Sequence, residues 1–128
     1  MSMLSSCNII AFVATTDAER AREFYAGVLG LRLVDDQPAA LVFDAHGTML
    51  RIAKVQQFTP ARHTVLGWVV ANVAGMVDGL TSAGVPFERF AGLQQDERGI
   101  WTSPDGAKIA WFKDPNGNIL SLTEFSAG

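Results

Sequence analysis

The sequence has one cysteine, Cys7, so no disulfide can close within the chain, which fits a reducing cytoplasm. Cys7 stands near the start of the first apolar run and reads as a small buried or edge residue. There are only two histidines, His46 and His63, and no paired His/carboxylate spacing of the zinc or non-haem iron type. Basic residues are few: the net charge is -3 and the pI about 5.2, so the footprint that phosphate backbones require is missing and nucleic acid is not an expected partner. No apolar run approaches the roughly 18–20 residues that span a bilayer. No basic stretch followed by an apolar one opens the sequence, so no secretory signal is expected. Nucleotide-binding glycine motifs and a nucleophile elbow are also missing. Asp96 and Glu97 are adjacent, hence on opposite faces of an extended segment, and read as a charged loop rather than an acid/base pair.

What is present is apolar material with periodic order. Hydrophobic residues make up 48% of 128 residues, enough for the core of one domain. Residues 8–14 (NIIAFVA) read as a strand. Thr15, Thr16 and Asp17 are helix N-cap types, and Ala21, Phe24, Tyr25 and Val28 then recur at helical spacing. Gly27 and Gly30 punctuate the helix end. Strands are expected at 31–34, 39–44 and 49–55, with a hairpin turn at Ala45-His46-Gly47 and a linker over 56–63.

The order then repeats. A strand is expected at 65–71 and a helix at 74–83, with Met76, Val77 and Leu80 on its apolar side. Strands are expected at 86–90, 99–103 and 108–112, then a turn at Asp114–Gly117 and a last strand over 118–124. One domain over 1–128 therefore holds two modules, about 7–57 and 64–125. Half-chains of this size bury too little surface to be comfortable alone.

Three segments, in order and register, carry a resemblance: DAERAREFYAGVLGLRLV at 17–34, LTSAGVPF at 80–87 and WFKDPNGNILSLTE at 111–124. They resemble the vicinal-oxygen-chelate superfamily of glyoxalase I, bleomycin-resistance proteins and extradiol dioxygenases. The resemblance implies an α+β fold of two βαβββ modules, an eight-stranded cupped mixed sheet with helices outside, and pairing as a homodimer. It also implies that metal-dependent relatives hold a divalent cation with four inward side chains on the first and last strands of each module. Counted from Asp17 and Asp114, two of these positions fall on Ile10 and Ser121; the others fall on or beside Arg51 and Val65. Neither Ile10, Val65 nor the neighbouring Leu66 has a donor atom, Arg51 is cationic, and Ser121 is a poor lone ligand. No cofactor is therefore expected. A divalent metal enters only under an alternative with relocated ligands, for which His63 is the candidate.

Strand alternation puts Ser121 and Thr123 on one face and Leu120 and Leu122 on the other; the resemblance, whose ligand position is inward, implies that Ser121 and Thr123 face the cup and the leucines the helices. The same reading places Trp111 in the cup, Phe112 against the helices, and Phe12 on the face of Ile10. Phe12, Arg51, Trp101, Trp111 and Ser121 are the candidate ligand-binding residues, an apolar and aromatic lining with one cation. Arg98 could reach a ligand from its loop. The expected function is metal-independent binding of a small organic molecule. The alternatives are a metal-dependent lyase or dioxygenase, or a metal-free isomerase, and no catalytic residue is assigned.

Overall fold

A computed structural model describes residues 3–126. The chain divides into two compact units, Met1–Phe58 and Thr59–Gly128. The same element order occurs in both: strand, helix, then three strands.

In the first unit, β1 (Ile10–Thr15) leads into α1 (Ala18–Arg22), which continues as a wider π-helical segment over Glu23–Val28. The start of α1 follows from its capping residues. The Asp17 carboxylate accepts the Arg20 N–H at 3.2 Å, and Thr15 Oγ1 accepts the Asp17 N–H at 3.0 Å. Strands β2 (Arg32–Asp36), β3 (Ala40–Ala45) and β4 (Thr48–Lys54) follow. The β3–β4 hairpin turns at His46 and Gly47, both at positive φ (51° and 91°), as a two-residue primed turn requires. The sheet order is β1-β4-β3-β2, with β1 parallel to β4 and the remaining pairs antiparallel.

Alternation sorts this sheet into two faces. Val13, Leu41, Phe43, Leu50 and Ile52 are buried on the helix side, where Tyr25 meets Phe43 at 6.0 Å between ring centroids. Ile10, Phe12, Val42, Met49 and Arg51 lie on the opposite, helix-free face. A bulge in β2 at Val34 shifts the register, so Asp35 pairs with Val42 and Asp36 with Leu41. Asp36 thereby joins Lys54 and Arg22 on the helix side in a surface charge cluster.

The second unit repeats the plan with β5 (Thr64–Val69), α2 (Val73–Ser82), β6 (Trp101–Thr102), β7 (Lys108–Lys113) and β8 (Ile119–Glu124), in the order β5-β8-β7-β6. The eight strands thus form two four-stranded mixed sheets, each with its own helix. Asn72 caps α2 by accepting the Gly75 N–H at 3.1 Å, and Glu124, from the end of β8, accepts the Val73 N–H at 2.9 Å. The helix closes with paired bonds from Val85 N–H to Leu80 and from Gly84 N–H to Thr81, a Schellman ending. Leu120, Leu122 and Phe112 are buried on the helix side, where Trp68 stacks on Phe112 with 6.4 Å between centroids.

The strand expected at 86–90 is not formed. Only Phe87 bridges to Phe112, and β6 is two residues long. Pro86 has no N–H for a ladder. The segment is held by one backbone bond, from the Glu88 N–H to the Trp111 carbonyl at 2.8 Å, and by the Gln95 side chain, which accepts the Phe90 N–H and donates to the Glu88 and Gly99 carbonyls. The turn after β7 matches expectation: the buried Asp114 carboxylate accepts from the backbone N–H of Asn116 and Asn118 and from the Asn118 amide. Cys7 corrects the sequence reading, since it is exposed in a turn ahead of β1.

Candidate functional site

The helix-free face of the first sheet carries the most distinctive chemistry. One row runs straight across it: Asp35 on β2, Val42 on β3, Arg51 on β4 and Phe12 on β1, each paired with the next. Ile10 and Met49 lie one step along the same face, paired with each other. Phe12 is 60% exposed, an unusual placement for a large apolar ring on a sheet. A groove of about 450 Å³ opens beside this row, lined by Ile9, Ile10, Val34, Val42 and Met49, with the Arg32–Asp44 ion pair at its side.

Arg51 is the cation of this face that has no carboxylate partner; Arg32, on the same face, is paired with Asp44. Arg51 is half-buried, and its Nη2 donates to Gln37 Oε1 at 3.0 Å. Gln37 Nε2 in turn donates to Asp35 Oδ2 at 3.0 Å. Among the described residues Lys54 is the other half-buried cation, and it is paired with Asp36, whereas Arg51 meets no carboxylate within salt-bridge distance.

The second sheet places an aromatic cluster on its helix-free face. Trp111 meets Phe90 edge-on at 5.4 Å and Trp101 at 6.3 Å between centroids, and its Nε1 donates to Thr64 Oγ1 at 3.1 Å. Ser121 is paired with both Trp111 and Gly67, and is only 8% exposed. Its hydroxyl lies over the Gly67 backbone, 2.5 Å from where a Cβ would stand.

The candidates from sequence are therefore brought together in two sets: Phe12 and Arg51 on the first sheet, Trp101, Trp111 and Ser121 on the second. Val42, Met49, Gln37 and Phe90 were missed. Val42 and Met49 share the face parity of Arg51, which alternation could have shown. Gln37 lies in a turn, and no periodic signal marks it.

The positions that the resemblance gives for metal ligands do not fit a divalent cation. Ile10 is 48% exposed and has no donor atom. Val65 occupies a bulge in β5, Leu66 pairs with Leu120 toward the helix, and Gly67 opposite Ser121 has no side chain. Arg51 carries positive charge. Among the described residues no three His, Cys, Asp or Glu side chains gather as a metal site. His63 is exposed just before β5, and His46 is exposed in its hairpin turn. Arg98 is engaged by Asp78, with Nε to Oδ1 at 2.9 Å and Nη2 to Oδ2 at 3.2 Å. The hydrogen bonds and charge of Arg98 hold the Asp78 carboxyl below its ordinary range and Asp78 holds the guanidinium above its own. Among the described residues no helix is long and apolar enough to cross a membrane.

A family model described as Glyoxalase/Bleomycin resistance protein/Dioxygenase superfamily matches residues 7–122. The chain belongs to this superfamily. Its fold is similar to that of a glyoxalase family protein from Bacillus anthracis, with a TM-score of 0.76 at 19% identity, covering 98% of this chain and 100% of that one. It is also similar to lactoylglutathione lyase from Agrobacterium tumefaciens, with a TM-score of 0.73 at 19% identity and 93% of each chain covered. A third likeness is to TnmS3, an antibiotic binding protein from Streptomyces sp. CB03234, with a TM-score of 0.75 at 25% identity, covering 98% of this chain and 100% of that one. A search of curated proteins finds no match. The two-module α+β fold expected of a glyoxalase-superfamily member is thus present.

Proposed function

We propose that this superfamily member binds a small organic anion without a metal ion, and sequesters it rather than transforming it. The observation that carries this reading is Arg51: a half-buried guanidinium without a carboxylate, set among Phe12, Val42, Met49 and Ile10. Apolar walls with one convergent charge suit a ligand with an aromatic or branched body and an acidic group. The Trp101–Trp111–Phe90 cluster on the second sheet is an aromatic surface of its own. The likeness to an antibiotic binding protein supports binding as the role. The exposed apolar side chains Phe12, Ile10 and Met49 support a homodimer as the working form, and Cys7, exposed and free, supports a cytoplasmic setting.

The test pairs two measurements. Elemental mass spectrometry of protein purified without chelator should find no stoichiometric metal, before or after exposure to nickel, zinc, manganese or ferrous iron. Calorimetric titration with a panel of aromatic acids should find binding that Arg51→Ala weakens at least about tenfold, the loss of one charge-assisted contact. One bound metal per chain, or an Arg51→Ala isotherm that overlays the parent's, would overturn the proposal.

A further inference from the structure

Gln37 stands between a cation and an anion. Its amide oxygen accepts from Arg51 and its amide nitrogen donates to Asp35, both at 3.0 Å. Those partners leave the amide only one orientation, because a guanidinium can only donate and an ionised carboxylate can only accept. The backbone of Gln37 is pinned as well. Its N–H donates to the Ala40 carbonyl at 2.9 Å, and the Ala40 N–H returns a bond to the Gln37 carbonyl at 3.3 Å. Asp35 and Arg51 lie on the same face, two strands apart, with Val42 between them. Adjacent strands are about 4.8 Å apart, so their backbones are separated by about 10 Å and the amide fills the gap. Arg51 is thereby held in place by a neutral group, and its charge is not cancelled by an ion pair.

We infer that Gln37 sets the specificity of this site: it orients Arg51 and, by being neutral, keeps the site selective for an organic monocarboxylate over its neutral isostere. The inference rests on the reading of Arg51 as the ligand anchor. A carboxylate at position 37 would occupy the guanidinium as an internal partner, and the site would lose its charge preference. An apolar side chain there would free Arg51 but leave it without a fixed direction. Phe12 and Val42, which flank Arg51 in the row, favour a ligand whose single charge sits on an apolar body rather than a multiply charged phosphate.

The experiment is calorimetric titration of the full chain with 2-naphthoate and with 2-naphthamide, which differ in charge and little in shape. The parent should bind the acid at least about tenfold more tightly than the amide. Gln37→Glu should bring that ratio to about one. Gln37→Met should weaken acid binding while keeping the ratio above one, which separates orientation from charge. Circular dichroism melts establish that each variant is folded, and Gln37→Met alone remains decisive if the Glu variant does not fold. A Gln37→Glu ratio equal to the parent's, or Gln37→Met binding equal to the parent's in affinity, would overturn the role of Gln37 while leaving Arg51 as anchor. An Arg51→Ala variant that keeps the preference for the acid, or a parent that binds neither probe, would overturn the underlying reading and this inference together.

Discussion

The hydroxyl of Ser121 occupies the space above Gly67 that any side chain at position 67 would need, 2.5 Å from the ideal Cβ position. Gly67 is therefore a packing residue, and Ser121 faces a backbone rather than open space. The next nearest atom, the Ser121 carbonyl oxygen at 3.4 Å, is tight but tolerable, so the hydroxyl is the obstacle. Gly67→Ala should cost about 1 kcal/mol, because Ser121 must leave its rotamer. In a Ser121→Ala background the same change should cost little or nothing. Urea unfolding of the double-mutant cycle measures this, and equal costs in both backgrounds would remove the explanation.

Glu124 ties the end of β8 to the start of α2 by accepting the Val73 N–H, across 51 residues of sequence. It satisfies a helix N-terminal donor and places negative charge at the positive end of the dipole. Glu124→Ala should destabilise the second unit by about 1 kcal/mol, with Glu124→Gln recovering part of that. Hydrogen exchange should locate the loss in the first turn of α2. Protection that falls evenly along the whole chain would argue against a capping role.

Asp36 is held below the ordinary carboxyl range by its hydrogen bond from Lys54, and further by the charges of Lys54 and Arg22, while desolvation opposes them. A depressed folded-state value means that the contribution to stability is present above the unfolded pKa, about 3.9 for Asp. It is lost as pH falls through the lower folded value. Thermal melts of the parent and Asp36→Asn should therefore differ at neutral pH and converge on acidification below about pH 4. The site is exposed, so the difference should also shrink in high salt. A difference that persists at low pH would show that the effect is not electrostatic.

Both helices and all eight strands could be read from the chain, and one further strand was expected that does not form. Their signals are local: a capping residue at Asp17, a 3.6-residue period, alternation, and turn chemistry at His46-Gly47 and Asp114–Gly117. The strand expected at 86–90 failed because its residues have strand-like alternation but make only one ladder bond, from the Glu88 N–H to Trp111, while the Gln95 side chain takes the Phe90 N–H and the Glu88 carbonyl. Cys7 was misplaced because an apolar run does not reveal which residue begins the ladder.

The sequence by itself determined the two-module plan and which neighbours share a face with Phe12, Arg51, Trp111 and Ser121, since both follow from periodicity within each stretch; which of the two faces is inward came from the family resemblance. Register and reach were decided only by the tertiary structure. The bulge at Val34 is one inserted residue with no compositional mark, yet it moves Asp35 to the face of Arg51 and sends Asp36 to Lys54. Gln37 finds Arg51 across 14 residues of sequence through strand pairing, and Ser121 finds Gly67 in the same way. Such contacts depend on which strands lie side by side and in what alignment, and that is settled by burying the whole apolar face at once rather than by any local stretch of chain.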